Sequence, residues 1–232
     1  MTALSVRGVE KRYGGVTALA GCSFDIPGPG IYGLIGPNGA GKTTLFDIVA
    51  GATAPDRGTV HFEDDDVTGL APHRLAARGM ARSFQECRVF PEFTCLENLL
   101  FSGRKHASAR DEAMRLLALV NLEGHAGQPA AALSFGQRRL LEIVGTFMQR
   151  PRLLLLDEPA AGVNPALLEV LSAFIKAMFR ERPSVFLVIE HNMEFVMELA
   201  GEIVVMHQGS VLERGSPAAI QADARVIEAY LG

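Results

Sequence analysis

The chain has 232 residues, and its 22 lysines and arginines against 26 aspartates and glutamates give a formal net charge of −4. Hydrophobic residues make up 48% and charged residues 21%, a globular composition that excludes a disordered chain. The acidic balance argues against a nucleic-acid binder, and no apolar run approaches the ~20 residues that cross a bilayer. The three cysteines form no CxxC pair, which indicates free thiols in a reducing cytosol.

The first 85 residues are predicted to be rich in β structure. Alternating or apolar runs predict strands at residues 5–13, 22–26, 31–35, 58–62 and 80–84. Helices are predicted at residues 41–50, where Gly51 follows as a C-terminal glycine, and at residues 72–78. The acidic run at residues 63–66 is predicted to be a turn.

The middle of the chain, from about residue 86 to residue 150, is predicted to be helical. Apolar residues fall on one face of a helix at residues 110–120, and residues 135–148 form a second amphipathic helix. The Gly-, Ala- and Pro-rich segment at residues 124–132 is predicted to be a linker.

Strands and helices alternate again after residue 150. Strands are predicted at residues 153–156 and 185–189, and helices at residues 165–180 and 192–200. Residues 203–206 and 210–213 predict a hairpin, and two short helices follow Pro217. The sequence therefore predicts a parallel α/β core at both ends of the chain, interrupted by a helical lobe.

A phosphate-binding loop is predicted between the strand at residues 31–35 and the helix that follows. The loop matches the pattern G-x-x-x-x-G-K-[ST], and its residues are Gly36, Pro37, Asn38, Gly39, Ala40, Gly41, Lys42, Thr43 and Thr44. Glycines let backbone N–H groups surround phosphate oxygens, and the helix directs its positive end at the anion. We expect Lys42 to contact the β- and γ-phosphates and the Thr43 hydroxyl to ligate Mg²⁺.

Two adjacent carboxylates, Asp157 and Glu158, follow the apolar strand at residues 153–156. Successive side chains of a strand point in different directions, so the two need not share a role. We expect Asp157 to hold Mg²⁺, directly or through water. Glu158 is then the general base that polarises the attacking water.

A second helix start that could face a phosphate is predicted 20 residues before Asp157, where Gln137 ends the run LSFGQ. Ser134 is the expected N-cap of this helix, and Gly136 leaves the helix N-terminus open to a ligand.

Five motifs in order, GPNGAGKTT, RSFQ, LSFGQRR, LLLLDEP and IEHNM, resemble those of the ATP-binding subunits of ABC transporters. The resemblance covers essentially the whole chain and implies one α/β P-loop NTPase domain. Its RecA-like parallel core, with an N-terminal antiparallel β subdomain, would comprise residues 1–85 and 150–232. An inserted α-helical subdomain at residues 86–149 would carry the signature motif.

The resemblance also implies roles for single residues. Tyr13 matches the aromatic residue that stacks on adenine, and Gln85 matches the glutamine that reaches Mg²⁺ and links the site to the helical lobe. Ser134, Gly136 and Gln137 match the signature that contacts the γ-phosphate bound by the opposite subunit.

His191 matches the switch histidine that contacts the γ-phosphate and helps to hold Glu158 and water in place. Two positions depart from the family pattern. Phe135 replaces the middle glycine of the signature, and Asn164 replaces an aspartate, which would weaken a contact across a dimer interface.

Within the family, the stretches DEPAAGVNP, VIEHNMEFVMELA and VIEAYLG resemble the branched-chain (hydrophobic) amino-acid uptake type. The implied cofactors are ATP and Mg²⁺. The implied partners are a second copy or a related ATP-binding subunit, integral-membrane permease subunits that dock near residues 85–98 and, indirectly, an extracytoplasmic solute-binding protein. The chain would lie peripherally on the cytoplasmic side of the plasma (inner) membrane, without a nucleic-acid partner.

Alternatives remain open at this point. Similar subunits serve urea or short-amide importers. Phe135 and Asn164 motivate a nucleotide-gated module with little catalysis, although Glu158 and His191 argue against it. A non-transport ATPase of DNA repair or translation would carry coiled-coil insertions or a second cassette, which this chain lacks. The absence of an N-K-x-D run excludes a GTPase.

Overall fold

We describe the fold from a computed structural model of the chain, which describes residues 2–83, 88–103 and 108–231. These residues form ten strands and nine α-helices. The strands are β1 (Leu4–Tyr13), β2 (Val16–Ile26), β3 (Gly30–Ile35), β4 (Arg57–Phe62), β5 (Asp65–Asp66), β6 (Met80–Arg82), β7 (Leu153–Asp157), β8 (Val185–Ile189), β9 (Glu202–His207) and β10 (Ser210–Gly215). The helices are α1 (Lys42–Val49), α2 (Pro72–Ala77), α3 (Cys95–Ser102), α4 (Ala109–Leu119), α5 (Phe135–Phe147), α6 (Pro165–Glu181), α7 (Met193–Leu199), α8 (Pro217–Ala222) and α9 (Ala224–Leu231).

The smaller sheet is antiparallel, with the strand order β2-β1-β4-β5. The turn predicted at residues 63–66 is wrong over its second half. Asp65 and Asp66 instead form β5, which pairs with Phe62 and His61 of β4. The reversal is confined to two residues, and Glu63 adopts a left-handed φ of 54° there.

The larger sheet has the order β10-β9-β3-β8-β7-β6, in which all neighbours are parallel except β10 and β9. Strands β7 and β8 are buried along their whole length. Because both faces of an inner parallel strand are covered, such strands have uninterrupted apolar sequences. The predicted α/β core with an antiparallel β subdomain is therefore confirmed.

The carboxyl ends of three neighbouring strands meet at one edge of this sheet. Ile189 of β8 lies beside Leu34 of β3 on one side and beside Asp157 of β7 on the other. The loops that follow these strands leave the same edge, which is where ligands bind in open α/β sheets. The edge thus gathers the phosphate loop, Glu158 and His191.

Helices α3, α4 and α5 form the helical region between β6 and β7. They share one hydrophobic cluster with the sheet, and the Phe147 ring of α5 packs edge-on against Phe174 (5.0 Å) and Phe186 (5.5 Å). A subdomain at residues 86–149 stays a prediction. Within residues 2–83, 88–103 and 108–231, no helix combines the length and apolar character needed to cross a bilayer.

Candidate nucleotide-binding site

The phosphate loop runs from the end of β3 to the start of α1 and is pressed against neighbouring backbone. Gly36 has a φ of 151°, and Gly41, the N-cap of α1, has a φ of 96°. A Cβ atom would overlap the Met206 carbonyl oxygen at Gly36 and the Ala18 carbonyl oxygen at Gly41. Both positions therefore require glycine, because no side chain fits either the conformation or the space.

Lys42 curls back over this loop. Its Nζ donates hydrogen bonds to the carbonyl oxygens of Gly36 (2.7 Å) and Pro37 (3.0 Å). Burial lowers the pKa of Lys42, and the nearby Glu158 carboxylate opposes that shift by raising it. The loop is braced from outside, since the Gly209 N–H donates to the Ala40 carbonyl oxygen at 3.0 Å.

The other residues of the loop are arranged around its open tip. Asn38 and Gly39 are exposed at the tip, and Pro37 is half-buried beside them. Thr43 is exposed and Thr44 half-buried in the first turn of α1, whereas Ala40 is buried. The loop therefore presents backbone and hydroxyl groups, and no acidic side chain, at the start of a helix.

Asp157 ends β7 with its side chain buried, and sequence reasoning missed its main partner. Arg82 Nη2 lies 2.9 Å from Asp157 Oδ2, while Arg82 Nη1 lies 2.6 Å from Asp47 Oδ1 of α1. Burial raises the pKa of Asp157, and the Arg82 guanidinium partly reverses the shift. Arg82 belongs to the RSFQ motif, but no local pattern identified it as a link between α1 and β7.

Glu158 follows immediately and has a left-handed φ of 44°. Its N–H donates to the Ile189 carbonyl oxygen at 2.9 Å, so the turn is tied to the end of β8. Its carboxylate Oε1 lies 3.5 Å from Nδ1 of His191, whose ring is exposed. The structure thus brings together three residues predicted to be catalytic, Lys42, Glu158 and His191.

A buried carboxylate that the sequence did not reveal supports both neighbouring loops. Glu190 is fully buried between β8 and His191. Its Oε1 accepts a hydrogen bond from the Ala160 N–H (2.6 Å), and its Oε2 accepts from the N–H groups of His191 (3.1 Å) and Asn192 (3.2 Å). Burial raises the pKa of Glu190, and these N–H donors lower it.

The signature residues lie at the start of α5. Ser134 is the N-cap, as predicted, and its Oγ accepts from the Gln137 N–H (3.3 Å) while Gln137 Oε1 accepts from the Ser134 N–H (3.0 Å). Gly136 is packed so closely that a Cβ atom would lie 2.8 Å from Leu167 Cδ1. In the described part of the chain, no hydrogen bond joins these residues to the loop at residues 36–44.

The two departures from the family pattern have structural explanations within this chain. The Phe135 ring is exposed and lies over Gly162, where a Cβ atom would come within 2.6 Å of it. Asn164 is the N-cap of α6, and its Oδ1 accepts from the Leu167 N–H at 3.0 Å.

Tyr13 and Gln85 are the last two residues that were predicted to contact the nucleotide or its metal ion. Tyr13 is exposed at the end of β1, with Lys11 Nζ 5.6 Å from the ring centroid. Gln85 lies outside the described residues.

The oxygen donors of this site suit Mg²⁺ only when the phosphates of a nucleotide are also bound. Within the described residues, no group of three or more His, Cys, Asp or Glu side chains could hold a metal ion. Thr43 and Asp157 offer hard oxygen donors, and Mg²⁺ binds through one or two such groups while phosphates and water complete its shell. The residues therefore fit a magnesium–nucleotide complex.

Comparison with known proteins places these features in context. The sequence model of a family described as ABC transporter matches residues 19–161, and that of the branched-chain amino acid ATP-binding cassette transporter matches residues 210–232. The high-affinity branched-chain amino acid transport ATP-binding proteins BraF of Pseudomonas aeruginosa and LivG of Escherichia coli (strain K12) are each 38% identical to this chain. Each alignment covers 99% of this chain and 97% of the relative.

A solved structure agrees with these relatives. The ADP conformation of an ATP-binding cassette of an ABC transporter superimposes with a TM-score of 0.88 at 30% identity. The alignment covers 100% of this chain and 99% of that chain.

Proposed function

The chain belongs to the ABC transporter family of ATP-binding proteins, and from this premise we propose that it is the ATP-hydrolysing subunit of an importer for branched-chain amino acids. The observation that carries the choice of solute is the 38% identity, over nearly the whole chain, to BraF and LivG. The match of residues 210–232 to the branched-chain amino-acid transporter family supports the same choice.

Binding of the nucleotide starts at the phosphate loop. Backbone N–H groups of residues 36–44 and the start of α1 face the phosphates, and Lys42 exchanges its two loop carbonyls for phosphate oxygens. Tyr13 stacks on the adenine ring from the end of β1. Thr43 and Asp157, with Gln85, would hold Mg²⁺, which would supply charge neutralisation for the β- and γ-phosphates.

Hydrolysis depends on the turn after β7. Glu158 accepts a proton from the water that attacks the γ-phosphorus, and the leaving group is ADP. His191, 3.5 Å from the Glu158 carboxylate, orients that carboxylate and contacts the γ-phosphate. The buried Glu190 holds the backbone of His191 and of Ala160 and so fixes the distance between the two loops.

The site is completed by a second subunit. ATP-hydrolysing subunits of this family work as dimers on membrane permeases. Among the described residues, the start of α5, with Ser134, Gly136 and Gln137, forms hydrogen bonds within itself and none to the phosphate loop of the same chain. In this proposal it serves, as the signature resemblance implies, the nucleotide held by the partner, either a second copy or a related subunit. ATP binding closes the pair and hydrolysis reopens it, a population shift driven by ligand.

An exposed aromatic cluster marks the face that contacts the permease. Phe90, Phe93 and Phe101 are all exposed, and Phe101 is 66% exposed. Their ring centroids lie 5.1 Å (Phe90–Phe93) and 4.8 Å (Phe90–Phe101) apart. Clustered exposed apolar groups are typical of interaction sites. In this proposal the chain lies peripherally on the cytoplasmic side of the plasma membrane, and the solute-binding protein acts on the permease from the other side.

Uptake of labelled leucine tests the proposal. In cells lacking this gene, the wild-type chain should restore leucine uptake and Lys42→Ala should not, because the variant loses its phosphate contact. Lys42→Ala should still copurify with the permease, whereas Phe101→Asp should not. If the wild-type chain hydrolyses ATP but restores uptake of urea and not of leucine, the assignment of branched-chain amino acids as the transported solute is wrong.

A further inference from the structure

A buried arginine joins α5 to the turn that carries Glu158. Arg139 lies in the second turn of α5 and is 1% exposed. Its Nη2 donates hydrogen bonds to the backbone carbonyl oxygens of Asp157 (2.6 Å) and Glu158 (3.1 Å). The side chain therefore connects a helix that begins at the signature with the backbone of the proposed general base.

The charge of this arginine is balanced within its own helix. Glu142, also buried, lies three residues further along α5, and its Oε2 is 2.7 Å from Arg139 Nη1. A buried guanidinium is costly unless it is paired and hydrogen-bonded. Because Glu142 supplies the countercharge, Arg139 can use its remaining donors on neutral carbonyl oxygens.

Those two carbonyls are the ones that determine the conformation of Glu158. They belong to the two peptide groups on either side of the Glu158 Cα atom, so fixing both restrains the φ and ψ angles of this residue. The φ of 44° is left-handed, a conformation that is strained for a non-glycine residue. Such a conformation persists only where the surroundings impose it.

Other contacts hold the turn from its opposite side. The Glu158 N–H donates to the Ile189 carbonyl oxygen at 2.9 Å, and Glu190 accepts from the Ala160 N–H at 2.6 Å. These bonds engage N–H groups, whereas Arg139 engages carbonyl groups. The Glu158 carbonyl oxygen also accepts from the Ala161 N–H at 3.0 Å, a bond within the turn itself. Arg139 therefore makes a contribution that neither Ile189 nor Glu190 duplicates.

We propose that Arg139 is a positioning residue that holds the Glu158 backbone in its left-handed conformation and thereby aims the carboxylate at the attacking water. This inference rests on the proposed role of Glu158 as general base. A displacement of about 1 Å at a reacting group can cost a factor of ~10² in rate. Loss of the arginine contacts should accordingly lower kcat about 10- to 100-fold and change the KM for ATP about twofold or less.

Arg139→Lys is the first variant to measure. Lysine keeps the charge next to Glu142 but lacks the planar fork that reaches two carbonyl oxygens at once. We expect kcat to fall at least tenfold, with ADP affinity within about twofold of the wild type. Arg138→Lys, at the neighbouring half-buried arginine, is the matched control and should hydrolyse ATP at the wild-type rate.

A second variant keeps the test valid if lysine disturbs folding. Arg139→Met combined with Glu142→Leu removes both charges, and replacing a buried ion pair by apolar residues often leaves stability unchanged. This double variant should melt near the wild-type temperature, bind ADP and show the same fall in kcat. Wild-type kcat in both variants would overturn the proposal, as would a joint loss of kcat and ADP affinity.

A double variant that combines Arg139→Lys with Glu158→Gln distinguishes a failure of this inference from a failure of the proposed function. If Arg139 acts through Glu158, adding Arg139→Lys to Glu158→Gln should leave the residual hydrolysis unchanged. A further fall would show that Arg139 acts elsewhere and would overturn the proposal. A wild-type rate of hydrolysis in Glu158→Gln alone would instead show that Glu158 is not the general base. The proposed function would then fail, whatever Arg139 does.

Discussion

Replacing Arg82 with glutamine removes the cation that partners the buried carboxylate of Asp157. The Asp157 side chain is 4% exposed, and that of Arg82, which also pairs with Asp47, is 19% exposed. Breaking a buried ion pair by removing one partner costs about 3–5 kcal/mol. Since Arg82 is partly exposed and Asp157 can take up a proton, we expect a loss at the lower end, about 3 kcal/mol.

Thermal unfolding of the nucleotide-free chain measures this loss. Unfolding entropy is about 2.1 cal/mol/K per residue, so for 232 residues a loss of about 3 kcal/mol lowers Tm by about 6 °C. The matched control is Arg7→Gln, which breaks an exposed pair with Asp25 (2.5 Å). Exposed pairs contribute about 1 kcal/mol or less, so the control should shift Tm by no more than about 2 °C.

The deficit in Arg82→Gln should also depend on pH. Burial raises the pKa of Asp157, and removing Arg82 raises it further. The folded variant then holds its proton to a higher pH than the unfolded chain does. The part of the deficit that comes from Asp157 is therefore absent below the pKa of Asp157 in the folded wild type, and it grows as the pH rises toward the higher pKa of the folded variant. A Tm within 2 °C of the wild type at pH 7 would refute the reasoning.

Three further predictions concern single residues. Asn164→Ala removes the hydrogen bond from the Leu167 N–H and should cost about 1 kcal/mol of stability, which lowers Tm by about 2 °C. Asn164→Asp keeps the cap and should melt near the wild-type temperature. Equal melting temperatures for the two variants would contradict this. Burial raises the pKa of the Cys22 thiol to about 12, so Cys22 should resist a thiol reagent at pH 8 in the folded chain, and peptide mapping that finds it labelled as fast as in denaturant would disprove this. Burial lowers the pKa of Lys42, and phosphate needs the charged form, so ADP affinity should fall at alkaline pH below the ordinary lysine pKa; calorimetry showing constant affinity up to pH 10 would disagree.

Much of the fold could be predicted from sequence because the inner strands have distinctive patterns. The predicted strand at residues 185–189 coincides with β8, and β7 extends the predicted strand by one residue. The edge strand β2 was predicted only at residues 22–26, because its first half is partly exposed and lacks regular alternation. Exposed edge strands carry a weaker apolar signal than strands that are covered on both faces.

The supporting contacts of the site could not be predicted. Arg82, Arg139 and Glu190 are polar residues that each contact a residue on a distant segment. Arg82, for example, is 75 positions from Asp157. The spacing of residues within one segment cannot predict such a contact, because strand order and helix packing bring the two residues together. The phosphate loop was predictable because all its functional groups lie within nine consecutive residues.

The most direct test of the central claim compares nucleotide binding and hydrolysis in Glu158→Gln. The amide keeps the size of the side chain but cannot accept the proton of the attacking water. General bases contribute a factor of about 10²–10⁴, so turnover should fall at least about 100-fold while ATP affinity stays close to that of the wild type. Hydrolysis at the wild-type rate would contradict the account.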